Sequence, residues 1–231
     1  MFCEPVPVGM RVVLSCEHAS WAAPEGVAPE AVLRSHVGWD AGAAELARAL
    51  QGALRCPLHL GERSRLWVDL NRSADAAIPT RSFGVDLPAN ERLSAAQRGA
   101  RLAVWERFRD AVRAEVGEGP TLHISVHSFD PALDPERRTY PVGLLFDPAR
   151  AFEVDVATRW QGLLLARGFD TRLNEPYLGV DDGHTTALRR ALPDARYAGL
   201  ELELNQAHHR PEVVAAIVQS LEVLVGALQH R

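Results

Sequence analysis

Short apolar runs rich in β-branched residues alternate along this chain with longer segments of helical periodicity, and that alternation restricts the fold to an α/β sheet. Arg11-Val-Val-Leu-Ser-Cys16 reads as a first central strand. After a loop over residues 19–39, a helix starts at Asp40, which occupies the N-cap position, with Ala43, Leu46, Ala47 and Leu50 along one face. Residues 57–61 and 65–70 read as the second and third strands, and an irregular stretch rich in Pro, Gly, Ser and Asp covers 73–90. A helix over 93–116 is opened by Ser94 and closed by Gly117. The turn Gly117-Glu-Gly-Pro120 leads into a buried strand, Thr121-Leu-His-Ile-Ser-Val-His127, ended by Asp130-Pro131. Strands over 141–146, 169–173 and 197–204 follow, with helices over 148–167 and from Pro211, and a turn-rich loop over 174–183. The expectation is one α/β domain, 1–231, with a mostly parallel central sheet and helices on both faces.

Composition narrows the chemistry. With 25 basic against 30 acidic residues the formal charge is −5, and no basic block is present, so neither nucleic acid nor an anionic membrane surface is the expected partner. Every basic residue is arginine, which excludes a Schiff-base lysine, a lysine general base and a phosphate-loop lysine. The first ten residues lack the charge and apolar run of a secretory signal, and no apolar run approaches a membrane span. Cys3, Cys16 and Cys56 are odd in number and widely spaced; a reduced, cytoplasmic setting is expected.

Parallel strands would gather His18, Asp40, Asn71, Arg72, His127 and Glu203 at one edge, each lying at a strand's C-terminal end or at the start of the next helix. Two histidines and a carboxylate make the usual catalytic zinc set with one open position. A further carboxylate takes a proton from water, and an arginine holds an anionic substrate, so the inventory is that of metal-assisted hydrolysis. Glu201 and Glu203 share a strand face, and either can be the base. Arg65 and Asp69, four apart, read as a structural ion pair. His123 has the parity of His127 and reads as a hydrogen-bonded core histidine. His184, after a Gly-containing loop, is expected to touch substrate or orient a ligand.

The segments Ser15-Cys-Glu-His-Ala-Ser20, Trp39-Asp-Ala-Gly42, Ser64-Arg-Leu-Trp-Val-Asp-Leu-Asn-Arg72, Pro88-Ala-Asn90, Val126-His-Ser-Phe129, Asn174-Glu-Pro-Tyr177 and Glu203-Leu-Asn205 resemble the N-formylglutamate amidohydrolase family. That family is similar to zinc-dependent carboxypeptidases and muramoyl-alanine amidases, so the resemblance implies a phosphorylase/hydrolase-like, zinc exopeptidase-like fold. It also implies hydrolysis of a linear amide in a small N-acylated, carboxylate-bearing substrate such as N-formyl-L-glutamate, within amino-acid degradation. Carried over residue by residue, it makes His18 and His127 zinc ligands, Asn71 with Arg72 the carboxylate clamp, Arg65 a secondary substrate contact and Glu203 the base. Carboxypeptidases place a glutamate three residues after the first histidine, where this chain has Trp21. The amidases take an acidic residue at the head of the next helix, which is Asp40 here. Glu17 is the alternative third ligand, although adjacent residues on an extended strand face opposite ways. The donor set admits manganese, iron or cobalt beside zinc.

Other readings are a zinc carboxypeptidase or muramoyl-amide hydrolase, a thiol hydrolase using Cys16 with His18 as its base, and a metal- or ligand-binding domain without catalysis. The sequence does not specify an oligomeric state.

Overall fold

Residues on the central strands alternate between two chemistries, and the architecture follows from giving each its own side. The computed structural model describes residues 9–117 and 119–229; the expectations for the first eight residues, including Cys3, and for Glu118 lie outside them. In chain order the strands are β1 (Arg11–Cys16), β2 (Leu58–Leu60), β3 (Arg81–Ser82), β4 (Val85–Asp86), β5 (Thr121–Phe129), β6 (Val142–Leu145), β7 (Thr171–Leu173) and β8 (Tyr197–Asn205). The helices are α1 (Glu30–Leu33), α2 (Ala43–Leu54), α3 (Pro88–Glu91), α4 (Ala95–Val116), α5 (Ala151–Leu165), α6 (His184–Ala191) and α7 (Pro211–Gln229). Six strands form one sheet in the order β2-β1-β5-β8-β6-β7. Neighbours are parallel except β6 against β8, so this is a single α/β domain built on a mostly parallel sheet.

On one face, Val12, Leu14 and Cys16 of β1, Leu122, Ile124 and Val126 of β5, and Leu200, Leu202 and Leu204 of β8 pack with Leu46, Leu50, Trp160, Ile217 and Leu221 from α2, α5 and α7. This is the main core. Strand parity sends Ser15, His123, Ser125, His127, Glu201 and Glu203 to the other face, where α4 and α6 bring Val112, Val116 and Leu188 against Val13 and Tyr197. Register sets the polar residues in rows: Ser15 opposite Ser125 opposite Glu201, and His127 opposite Glu203 opposite Gly143. By length and composition alone α7 is apolar enough to cross a membrane, yet its Val213, Ile217, Leu221, Leu224 and Leu228 belong to the core.

Several local expectations are corrected. Residues 65–70 form no strand. Ser64 ties them into a turn, its carbonyl accepting from Trp67 N and Val68 N while its hydroxyl donates to Gly38 O. The stretch 73–90 contains the β3–β4 hairpin and reaches into α3. β5 continues past His127 to Phe129. α2 is entered at Gly42, with φ of 84° and no side-chain cap; Asp40 is not its N-cap, because its carboxylate is turned to His127 and Arg65. Ser94 does cap α4, in a reciprocal pair with Gln97.

Glu153 and Arg189 form a buried ion pair that ties three elements together. The Arg189 Nε donates to Glu153, while its two terminal nitrogens donate to Gly179 O and Gly199 O; Glu153 accepts from the backbone of Asp147 and Gly199. Replacing Arg189 by leucine removes the bonded guanidinium and leaves that carboxylate to Arg150 and two backbone donors; the change is expected to cost about 3 kcal/mol, measured as a lower urea midpoint. A cost below about 1 kcal/mol would mean that the pair contributes no more than an exposed one.

Candidate active site

The C-terminal edge of β1, β5 and β8 opens into a cleft of about 190 Å³, the size for a small metabolite. His18, Asp40, Arg65, Asn71, Arg72, His127, Glu201 and Glu203 all line it. The β1–β5 pairing brings His18 and His127 to one place, and their ring centroids are 5.0 Å apart. Asp40 arrives on the turn before α2, its backbone N–H donating to His18 O at 3.0 Å.

The hydrogen bonds fix which imidazole nitrogens carry protons. Ser125 Oγ donates its one hydrogen to Glu17 Oε2 at 2.6 Å, so it accepts from His127 Nε2–H at 2.9 Å. His127 Nδ1 is left as a lone pair 2.8 Å from Asp40 Oδ2. His18 Nε2–H donates to Asp69 Oδ1 at 2.8 Å, leaving a buried Nδ1 without a hydrogen-bond partner among the described residues, 3.4 Å from the same Asp40 oxygen. Burial, reinforced by the charge of Arg65, lowers the His18 pKa to about 4, so this ring is neutral. Two lone pairs and a carboxylate oxygen thus converge within 4.8 Å of one another. Acceptors gathered in this way repel unless a cation lies among them, and a divalent metal fits the set.

Glu17 faces elsewhere. Its carboxylate accepts from Ser15 Oγ, Ser125 Oγ and His184 Nδ1 beneath the cleft, and among the described residues the metal-compatible cluster is His18, Asp40 and His127. Burial alone would raise its pKa, but the hydrogen bond and charge of His184 outweigh this and hold it well below the usual carboxylate range. His184, at the start of α6, is 1% exposed and does not line the cleft; of the two roles expected for it, its bond to Glu17 and, through Ser125, to His127 agrees with orienting a ligand rather than touching substrate. His123 is the core histidine expected, between Ser15 Oγ and Tyr197 Oη.

The two glutamates of β8 are in unlike surroundings. Glu201 accepts from Thr185 Oγ1 at 2.6 Å. Glu203 is 4% exposed, and its Oε2 has no hydrogen-bond partner among the described residues. Burial pushes Glu203 up to about 7 against the opposing pull of His127, and a bound cation would draw it down again. Arg65 pairs with Asp40 rather than Asp69, because residues 65–70 turn instead of extending and Asp69 is left to His18. Asn71 Oδ1 accepts from His184 N, and Arg72 donates to Asp182 O. Cys16 points into the apolar core; burial, with Glu17 adding to it, raises the thiol pKa well above its ordinary value, so it is no nucleophile.

Sequence reasoning did not find Asp69 as the partner of His18, nor Ser15 and Ser125 as hydrogen-bond relays to Glu17. The parity shared by Ser125 and His127 was the available signal for one of them. His36, 2.9 Å from Asp130 at the cleft wall, carried no such signal.

The α/β domain with a polar cleft at its strand ends is that of a family of hydrolases. The N-formylglutamate amidohydrolase family model matches residues 10–209, and the chain belongs to that family. Among solved structures, the gene product Atu2144 of Agrobacterium tumefaciens is similar over 96% of this chain and 92% of its own, with 29% identity and a TM-score of 0.78. The N-formylglutamate amidohydrolase of Ralstonia eutropha JMP134 shares the fold over 98% and 95% respectively, with 16% identity and a TM-score of 0.66. No curated protein matches in sequence. The family's chemistry is amide hydrolysis.

Gly143 is opposite Glu203 in the sheet, and the segment 174–183 passes directly over it. A Cβ there would collide with Glu175 O and come within 3.3 Å of the Glu203 Cβ. The Gly143→Ala variant is expected to lose about 1–3 kcal/mol of stability in thermal denaturation. An unchanged melting temperature would show that the segment moves aside freely.

Proposed function

We propose that this chain is a zinc-dependent amidohydrolase that removes the acyl group from a small N-acylated amino acid, of which N-formyl-L-glutamate is the model. The observation that carries the reading is the group of three converging acceptors facing, across one small cleft, a buried carboxylate with an oxygen left free. His18, Asp40 and His127 would hold the metal, and mixed nitrogen and oxygen donors suit zinc. When bound, the ion supplies Lewis acidity toward the amide carbonyl and toward water.

The chain's own groups do the rest. Asp69 and the Glu17–Ser125 pair hold the two imidazoles with their Nδ1 atoms toward the cleft. Glu203 takes a proton from the attacking water and returns it to the departing nitrogen; a carbon–oxygen bond forms, the amide C–N bond breaks, and formate and the amino acid leave. Arg72, steadied by Asp182 O, neutralises the α-carboxylate beside Asn71. Arg65 holds Asp40 in place and adds positive charge at the cleft wall. The setting we assign is cytoplasmic, in amino-acid degradation, on a small anionic substrate.

Elemental analysis of the purified chain is expected to give about one equivalent of zinc, largely lost in His127→Ala. Glu203→Gln is expected to keep the metal while formate release from N-formyl-L-glutamate falls by about 10²–10⁴-fold. Metal-free protein after zinc is supplied would end the metal assignment. Undiminished turnover in Glu203→Gln would remove Glu203 as base and pass that role to Glu201.

A further inference from the structure

A substrate with two carboxylates needs a second cation, and the two arginines in the cleft wall are already engaged. Arg65 is paired with Asp40. Arg72 is committed to the α-carboxylate in the reading above, and His36 is paired with Asp130. Just behind the wall stands Arg138, on the loop that joins β5 to β6. Its guanidinium lies 5.0 Å from the ring centroid of Tyr177 and 5.8 Å from that of Phe129, and both rings line the cleft. One terminal nitrogen, Nη1, donates to Asp130 O at 3.1 Å and to Tyr177 Oη at 3.3 Å. Nε and Nη2 donate to no group among the described residues and are not sealed from solvent. No carboxylate of the described residues pairs with Arg138 as an ion pair, although its charge reaches Glu203.

Most buried or half-buried arginines in this chain are tied to a carboxylate or to several carbonyls, as Arg189 and Arg150 are. A guanidinium stacked on two rings, held by one nitrogen and open at the others is oriented without being neutralised. The segment 174–183 links the two cationic points: Tyr177 meets Arg138 and Asp182 meets Arg72. Two cleft-lining residues of one short segment thus each hold a guanidinium, an arrangement suited to a short dicarboxylate.

We propose that Arg138 is the specificity-determining residue for a second, side-chain carboxylate, so that the cleft selects acidic N-acyl amino acids over their neutral isosteres. This deepens the amidohydrolase reading and rests on it for the placement of the α-carboxylate. The probe is L-glutamate, the amino-acid product, against the isosteric L-glutamine, each titrated calorimetrically into the zinc-supplied full chain.

The parent is expected to bind glutamate at least about tenfold more tightly than glutamine, as a charge-assisted hydrogen bond implies. Arg138→Gln is expected to bring that ratio near one while leaving glutamine affinity in place, and Arg138→Lys to keep part of the preference. A purely structural role for Arg138 would weaken both amino acids together and keep their ratio. A parent without preference, including one that binds neither, overturns the proposal, as does an unchanged ratio in Arg138→Gln. Failure of the amidohydrolase reading is seen separately, as absence of formate release by the parent from every N-formyl amino acid tried.

Discussion

A carboxylate cut off from water must be surrounded by hydrogen donors, and Glu17 imposes that demand on the centre of this molecule. It lies just beyond β1, buried, and takes hydrogens from two serines and a histidine. Each donor is thereby denied to its other neighbour. Ser125 has only an acceptor left for His127, and Ser15 only an acceptor left for His123, which in turn accepts from Tyr197. One buried negative charge therefore sets the protonation of two rings on β5 and one on α6. The cleft above inherits lone pairs where a less constrained imidazole would present a hydrogen.

The same demand explains why the sheet has faces of such different chemistry. A central strand of an α/β sheet is commonly apolar on both sides. Here β5 gives Leu122, Ile124 and Val126 to the main core and His123, Ser125 and His127 to the opposite side, and both sets are buried. Those polar residues are tolerable only because each finds a partner: His123 has Ser15 of β1 and Tyr197 of β8, Ser125 has the Glu17 carboxylate, and His127 has Ser125 and Asp40. The polar face is organised row by row, and the rows of Glu201 and Glu203 open to the cleft, where Glu203 has an oxygen without a hydrogen-bond partner among the described residues.

Much of this was legible in the chain. Strand runs with clear parity placed β1, β5 and β8 and so put His18, His127 and Glu203 at one edge. What failed did so for local reasons. Arg65-Leu-Trp-Val-Asp-Leu70 has strand composition, but Ser64 satisfies its backbone through a turn, and no propensity argument anticipates a side chain competing in that way. Asp40 occupies a cap-like position, yet Gly42 at positive φ starts the helix and frees the carboxylate for the imidazoles. Neither the orientation of β6 nor the interior placement of His184 had a marker, since both depend on contacts between segments far apart in sequence. The pairing of Arg65 with Asp40 in place of Asp69 is a consequence of the misread strand.

The antiparallel placement of β6 against β8 has an outcome for how such a molecule diversifies. In the parallel part of the sheet each crossover must return the length of a strand, so its helix is bound to the core and changes slowly. The link from β5 to β6 leaves and re-enters the sheet at one edge, the edge that holds the cleft. It carries Asp130 and Leu133 into the cleft wall and Arg138 just behind it, and is tied to the sheet through its Arg138 and Tyr140 carbonyls, which accept from Asn205. Lineages can lengthen, shorten or recompose this link while the rows of the sheet stay intact, so chains of this fold can come to accept different ligands by exchanging about a dozen residues of connecting chain.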